Sequence, residues 1–326
     1  MSTPSLKAWT PRHLIKDIMP AWTRNDMPSQ AGQRAIITGA TGGLGFETAL
    51  ALAQAGSAVV LAARDPAKGA DALGRLRAAC PGADVHFARL DLASLASVRA
   101  FAQTEIDRGR PLDLLINNAG VMALPTRRVT EDGFEMQMGT NYLGHVALTA
   151  ALLPALRAAP APRVVSLSSL AHRGAHIKER DLQAAKRYTP WGAYGQSKLA
   201  MLMFALTLER QSAAHGWGIA SNAAHPGLAT TDLFTSGPGR RGIGNRLMQR
   251  ALPFFGHNAA SGVLPVLYAA TAPEAAGGGG YYGPAGWFEI KGPPAKARVA
   301  SAAADTAAGA RLWRQATALT GAIWPD

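Results

Sequence analysis

Within the run Ala193-Tyr194-Gly195-Gln196-Ser197-Lys198-Leu199, a phenol and an ammonium lie four residues apart. On a helix that spacing puts both side chains on one face. Free tyrosine titrates near pH ~10, and a positive neighbour that stabilises the phenolate lowers that value, which suits the phenol to general acid/base work near neutral pH. The same spacing also describes a solvated surface pair, so the surrounding elements have to decide between the two.

Those elements alternate. Ala35-Ile36-Ile37 is a short apolar run, followed by a glycine-rich turn up to Gly45 and an amphipathic stretch from Phe46 to Ala55, which predicts strand, loop and helix. Further apolar runs cover Ala58 to Ala63, ending at Arg64-Asp65, and Val85-His86-Phe87, ending near Asp91-Leu92 with a helical pattern from Leu95 to Ile106. Leu112 to Ile116 is read as a fourth strand, bounded by Asn117-Asn118-Ala119-Gly120. A helix around Asn141 to Leu156 leads to a fifth strand at Val164 to Leu167, and a sixth near Ile219 to Ala223 follows the Tyr194 helix. Continuous apolar strands separated by helices indicate an α/β fold, a doubly wound parallel sheet of Rossmann type covered on both faces. Ligands of such sheets sit at the carboxyl ends of the strands, where most of the glycine and polar punctuation falls. Ser236 to Gly256 breaks the alternation as an inserted lobe. Gly277 to Gly280 and Gly283-Pro284 mark a loop before a last helix around Leu312 to Leu319.

The loop Thr38-Gly39-Ala40-Thr41-Gly42-Gly43-Leu44-Gly45 opens a helix, where backbone amides and the helix dipole can hold a pyrophosphate. Thr38, Gly39, Thr41, Gly43, Leu44 and Gly45 are the candidate contacts. Its spacing is GxxxGxG rather than GxGxxG, and a glycine-rich turn without a ligand is the alternative. About twenty residues on, a dinucleotide fold needs an acid for the ribose of NAD or a cation for the 2′-phosphate of NADP. Arg64 and Asp65 stand side by side there. A guanidinium suits phosphate and Lys68 lies one turn further, so NADP is expected and NAD is kept open, with Asp65 as a helix N-cap in the alternative reading.

Thr38-Gly39-xxx-Gly43-x-Gly45, Asp91-Leu92, Asn118-Ala119-Gly120, Asn141, Ser169, Tyr194-xxx-Lys198 and Pro226-Gly227 occur in the order and approximate spacing of the short-chain dehydrogenases/reductases. From about Gln33 onward the chain resembles that superfamily. It most resembles the retinol-dehydrogenase-like group, through Leu61-Ala62-Ala63-Arg64-Asp65, Thr140-Asn141-Tyr142-Leu143-Gly144-His145, Leu167-Ser168-Ser169-Leu170-Ala171-His172 and Ala224-His225-Pro226-Gly227. Tyr281-Tyr282-Gly283-Pro284 resembles bacterial members of the group.

The resemblance implies a hydride-transferring oxidoreductase that interconverts an alcohol and its carbonyl. Tyr194 would donate or remove the proton. Lys198 would lower the tyrosine pKa and bind the nicotinamide ribose, Ser169 would hydrogen-bond the substrate oxygen, and Asn141 would hold a water linking Lys198 to solvent. By chemistry alone Ser168 would serve as well as Ser169. The resemblance also gives Asp91 and Leu92 to the adenine pocket, and Asn118, Ala119 and Gly120 to the edge of the cofactor. Pro226, Gly227 and Thr231 go to the nicotinamide carboxamide, with Thr230 competing with Thr231. Relatives that prefer NADP often carry a basic residue inside the glycine-rich loop, and here there is none, which leaves Arg64 and Lys68 to select the phosphate.

Composition bounds the rest. At 326 residues, with 48% hydrophobic and 17% charged, the chain can bury a full core. Cys80 is the single cysteine, which excludes an intrachain disulfide framework and fits a reducing compartment, the cytoplasm. The first 30 residues lack the uninterrupted apolar stretch that secretion needs, and the longest apolar run, Leu199 to Leu208, is too short to span a bilayer. A net charge of +12 attracts polyanions, but the cations are dispersed and the aromatics do not alternate with them, so no nucleic-acid partner is expected. His145, His172 and His225 are widely separated and lack metal-ligand spacing. Residues 1–32 are read as an N-terminal extension, with a short helix at Leu14 to Met19, and 33–326 as a single domain with a C-terminal segment at 277–326. In the lobe at 236–256, Leu247, Met248, Leu252, Phe254 and Phe255 stand beside four arginines, which suits a lid over a lipophilic substrate or a plain amphipathic surface helix. Family members assemble as dimers or tetramers, although nothing in this chain proves an interface. The rival readings are a non-catalytic NADPH-binding regulator, a nucleic-acid binder and a sugar-nucleotide epimerase.

Overall fold

The structure, a computed structural model, describes residues 21–228 and 259–326. The predicted lid at 236–256, Thr230, Thr231 and the helix at Leu14 to Met19 lie outside the described residues. Among the described residues eight strands form one sheet: β1 (Arg34–Thr38), β2 (Ala58–Ala63), β3 (Val85–Arg89), β4 (Leu114–Asn117), β5 (Arg163–Leu167), β6 (Ala220–Ala224), β7 (Tyr281–Pro284) and β8 (Pro294–Lys296). Their order is β3-β2-β1-β4-β5-β6-β7-β8, and only the β7–β8 pairing is antiparallel. The chain winds outward from β1 to β3 and then returns to the other side of β1 at β4, so β1 and β4 flank the topological switch point.

Alternation along each strand explains the two-sided burial. Ile36, Val60, Leu115 and Val164 belong to one apolar cluster, while Ala35, Ile37, Val59, Leu61, Leu114, Ile116 and Val165 belong to another. Successive side chains of a strand point to opposite faces, so each strand feeds both cores. The first core is closed by α3 (Leu95–Asp107), α5 (Gly144–Ala151), α7 (Pro190–His215) and α11 (Thr306–Thr320). The second is closed by α1 (Gly43–Gln54), α2 (Pro66–Ala79) and α9 (Leu264–Thr271). Short helices α4 (Met136–Met138), α6 (Leu153–Arg157), α8 (Ala259–Gly262) and α10 (Ser301–Ala304) complete the set among the described residues.

Two sequence expectations change. The stretch read as a loop at Gly283-Pro284 belongs to β7, because Tyr281 and Tyr282 pair with Ala223 and Ala224 in parallel and bury their rings on the two faces. Pro284 is tolerated at that strand end, beside the edge strand β8. The helix predicted over Asn141 to Leu156 is also not continuous. A π-helical turn over Gly139–Leu143 precedes α5, with Gly144 N–H bonded to Gly139 C=O, and Pro154 lies in the first turn of the separate α6.

α7 carries Tyr194 and Lys198. It starts at Pro190, whose missing N–H costs nothing in a first turn, and ends at Gly216, whose φ of 63° stops it. Every residue from Ala193 to Ala205 is buried, so this helix passes through the core and the surface-pair reading falls.

Candidate active site

All strands from β3 to β6 run parallel, so their carboxyl ends share one edge. Read across the sheet, that edge presents Asp91-Leu92 after β3, Arg64 after β2, the glycine-rich loop after β1, Asn118-Ala119-Gly120 after β4, Ser169 after β5 and Pro226-Gly227 after β6. The sequence-predicted residues thus form one ordered row, with Arg64 toward one end and Ser169 toward the other.

The glycine-rich loop fits a pyrophosphate. Gly42, the N-cap of α1, supplies no side-chain cap and the first turn holds no acid, which leaves its N–H groups and the positive helix end for an anion. Gly39 has a φ of +67°, and a Cβ there would lie 2.9 Å from Ala119 Cα. A Cβ on Gly45 would collide with the Gly39 carbonyl, so the helix start packs directly on the loop. Gly39, Thr41, Gly43 and Leu44 are half-buried and line the edge, whereas Gly45 is buried beneath them.

Thr38 does not line it. Fully buried, its Oγ1 accepts from Asn118 N–H and Ala119 N–H, both at 2.9 Å, and bonds His145 Nε2 at 2.9 Å. It therefore braces the loop after β4. Asn118 turns its amide back toward the Thr38 carbonyl at 2.7 Å, while Asp91 accepts from Ala93 N–H at 3.0 Å. Leu92 is buried.

At the end of β2, Asp65 is the N-cap of α2 and accepts from Ala67 N–H and Lys68 N–H at 3.0 and 3.2 Å. The N-cap reading of Asp65 holds. Arg64 is exposed, and nothing among the described residues pairs with its guanidinium. Arg75 also reaches this end, donating to Thr41 C=O at 3.0 Å and lying 4.2 Å over the Phe46 ring.

Around Tyr194 the catalytic candidates converge. The Ser169 side chain hydrogen-bonds the phenol, and its Oγ also accepts from Ala171 N–H at the start of a 3₁₀ turn. Ser168 is excluded on geometric grounds: it is buried, and its hydroxyl donates to Lys198 C=O at 2.9 Å. Lys198 Nζ donates to Leu167 C=O at 2.9 Å and lies 6.0 Å from the Tyr194 ring centre. Asn141, within the π turn, donates to Val121 C=O and Ser197 Oγ at 2.9 Å and accepts from Val121 N–H at 2.7 Å. Ser197 Oγ in turn donates to Tyr194 C=O at 2.8 Å. This amide ties the loop after β4 to α7.

The expected acidification of the phenol by the ammonium is not found in this state. Burial pushes Tyr194 up to about 12, opposed only by the Ser169 hydrogen bond, and burial also pushes Lys198 down to about 8. Desolvation disfavours the charged form of each group, and at 6.0 Å the attraction does not overcome it.

One arrangement escaped sequence reasoning. Glu289 reaches back to His225 Nε2 at 2.9 Å and to Arg173 Nη2 at 2.5 Å, while Gly227 N–H donates to His225 Nδ1 at 3.1 Å. With Nδ1 accepting, Nε2 carries the proton and donates to the carboxylate. The Ile290 carbonyl accepts from Leu228 N–H at 3.0 Å. The segment after β7 thus clamps the Pro226-Gly227 turn, with Phe288 and Glu289 held at φ of 50° and 59°. The only sequence signal was the isolated Glu289 in an apolar, glycine-rich stretch. His145, His172 and His225 are all fully buried. Among the described residues no group of three metal-ligating side chains occurs.

The chain matches the family described as short chain dehydrogenase over residues 33–238. It is 41% identical over 304 residues to polyprenol dehydrogenase of Mus musculus, covering 91% of this chain and 86% of that one. With retinol dehydrogenase 13 of Homo sapiens the identity is 45% over 224 residues, covering 68% and 66%. A crystal structure of an uncharacterised protein from Mycobacterium paratuberculosis superposes with a TM-score of 0.76 at 38% identity, covering 94% of this chain and all of that one. A short-chain dehydrogenase from Shigella flexneri complexed with NADP shares the fold at a TM-score of 0.61 and 22% identity, covering 78% and 98%. The chain belongs to the short-chain dehydrogenase family, in its retinol-dehydrogenase-like group, and is an oxidoreductase of alcohols and carbonyls.

Proposed function

We propose that this short-chain dehydrogenase uses NADP(H) to interconvert a lipophilic alcohol and its carbonyl, with Tyr194 as the acid/base. The observation that carries the reading is the convergence of Tyr194, Ser169, Lys198 and Asn141 at the strand edge that also bears the uncapped α1 and the unpaired Arg64. A bound nicotinamide supplies or accepts the hydride. The protein's own part is proton handling and orientation. With a pKa near 12, Tyr194 holds its proton at neutral pH and can give it to a carbonyl oxygen as charge develops there. Ser169 offers a second hydroxyl to the same oxygen. Lys198 is anchored by Leu167 C=O, with its charge on the phenol side of the cleft, and Asn141 fixes the helix that carries both.

Lipophilicity is supported by Trp191, which stands edge-on to Tyr194 with ring centres 5.9 Å apart and is 46% exposed. The names of the polyprenol and retinol dehydrogenase relatives point the same way. Arg64 favours NADP, since Asp65 is engaged by its own helix. We assign residues 33–326 to one domain, and Asp91, Leu92, Asn118, Ala119, Gly120, Pro226, Gly227 and Thr231 to the cofactor track. Among the described residues no helix is long and apolar enough to cross a membrane. The lone Cys80 supports a reducing, cytoplasmic setting.

The test is a spectrophotometric screen of hydrophobic aldehydes, ketones and alcohols with NADPH and NADH. Tyr194→Phe should keep NADPH affinity and lose roughly 10²–10⁴-fold in kcat, the share a positioned proton donor supplies. Retention of full turnover would remove the assigned role.

A further inference from the structure

His145 is fully buried on the first turn of α5 and reaches both halves of the cleft. Its Nδ1 lies 2.9 Å from the Asn141 main-chain carbonyl, within the π turn, and its Nε2 lies 2.9 Å from Thr38 Oγ1. A carbonyl only accepts, so Nδ1 carries the hydrogen and Nε2 is bare. The Thr38 O–H has two acceptors in reach, the Ile116 carbonyl at 3.3 Å and Nε2 at 2.9 Å, and the shorter contact to the bare Nε2 takes it, which turns both lone pairs of Oγ1 toward Asn118 N–H and Ala119 N–H. Every donor and acceptor of this hydroxyl is used. Burial pushes His145 down to about 4, so the ring stays neutral and the pattern does not reverse at physiological pH.

The consequence is a chain of hydrogen bonds from the glycine-rich loop to the proton donor. It runs from the Asn118-Ala119 amides through Thr38 and His145 to Asn141, and onward through Ser197 to the Tyr194 carbonyl. We propose that His145 is a positioning residue that fixes the loop after β4 against the glycine-rich loop on one side and the Asn141 turn on the other. The proposal rests on the NADP(H) oxidoreductase reading for its kinetic consequences, whereas its structural part does not need it.

Two substitutions separate the arms. The amide nitrogen of Asn at 145 can stand near Nδ1 and keep the bond to Asn141 while losing Thr38. The amide oxygen of Gln can stand near Nε2 and keep Thr38 while losing Asn141. His145→Asn should therefore raise the NADPH Kd about tenfold with kcat little changed, and His145→Gln should lower kcat about tenfold with Kd little changed, each the usual effect of one buried hydrogen bond left unmade. Hydrogen exchange of the Asn118 and Ala119 amides, read without cofactor, should quicken in His145→Asn and stay slow in His145→Gln. Thr38→Val should reproduce His145→Asn, and the pair together should cost no more than either alone. Equal shifts of Kd and kcat in both variants, or exchange unaffected by His145→Asn, would overturn the proposal. Should the His145 variants not fold, Thr38→Val decides, and unchanged amide exchange there would overturn it. A wild-type protein that binds no NADPH would refute the functional reading and leave the exchange result standing by itself.

Discussion

With Tyr194 near 12 and Lys198 near 8, the pair rests at neutral pH as phenol and ammonium, both withdrawn from water. The phenol is at ease there, but the ammonium is not, because Leu167 C=O is a neutral partner. Lys198 binds protons less readily in the folded state than a free lysine side chain, which titrates near 10.5, so between about 8 and 10.5 the unfolded chain holds more protons and stability rises with pH. Lys198→Met should accordingly be more stable than the cofactor-free wild type at neutral pH, by about 1 kcal/mol, while losing activity. Denaturant midpoints should show that advantage shrinking as pH climbs through this window. An advantage independent of pH would assign the gain to packing. Arg64 makes the opposite kind of prediction, since it is exposed and unpaired among the described residues. Arg64→Ala should weaken NADPH roughly ten- to hundredfold, the worth of a charged hydrogen bond, and leave NADH binding unchanged. Equal losses for both cofactors would show that Arg64 does not read the 2′-phosphate. At this scale the sequence made the residue types legible, through spacing and resemblance. It did not show that Ser168 is occupied by Lys198 C=O or that Thr38 faces away from the cleft, because both depend on where other elements end.

Strands were legible from their apolar runs: β1, β2 and β5 fall within a residue of them, and so does β6 although it carries Ser221 and Asn222. β7 was missed because Gly, Pro and Tyr at Tyr281–Pro284 carry turn chemistry in isolation, and pairing with β6 overrides it. The partner of Glu105 was equally invisible. This carboxylate on α3 is fully buried and pairs with Arg34 at the start of β1, 71 residues away, with His86 at 3.8 Å and Arg108 at 3.3 Å from its other oxygen. Burial alone would raise its pKa, but the neighbouring His86 side chain and the charges of Arg34 and Arg108 outweigh burial and lower it. A lowered carboxylate contributes stability above its unfolded pKa and loses it as pH falls through the folded one. Glu105→Gln leaves the Arg34 guanidinium buried without a counter-charge and should cost about 3 kcal/mol, read as a drop in the urea midpoint. The mutant should also lose part of the acid sensitivity of the wild type. A variant as stable as wild type would mean that water reaches Arg34 and the pair is not a core interaction.

For the whole molecule, the excess of 33 basic over 21 acidic residues is more than the cofactor track explains. Much of it is dispersed, so like charges repel across the folded surface and oppose compactness. Salt screens that repulsion, with a Debye length of about 8 Å at physiological ionic strength. The attraction between the strand edge, with Arg64 and the α1 amino terminus, and a phosphorylated cofactor is screened by the same ions. One variable should therefore move two properties in opposite directions. From low to moderate salt the melting temperature of the cofactor-free protein should rise while the affinity for NADPH falls, and the fall should be shallower for NADH, which lacks the 2′-phosphate. Calorimetric melts and fluorescence titrations over one salt series measure both. A nucleic-acid binder would instead show steep, salt-dependent binding to DNA, with a slope set by the number of phosphates contacted. DNA affinity surviving at physiological salt, with the two cofactors responding alike, would mean that the positive surface serves a polyanion rather than the cleft.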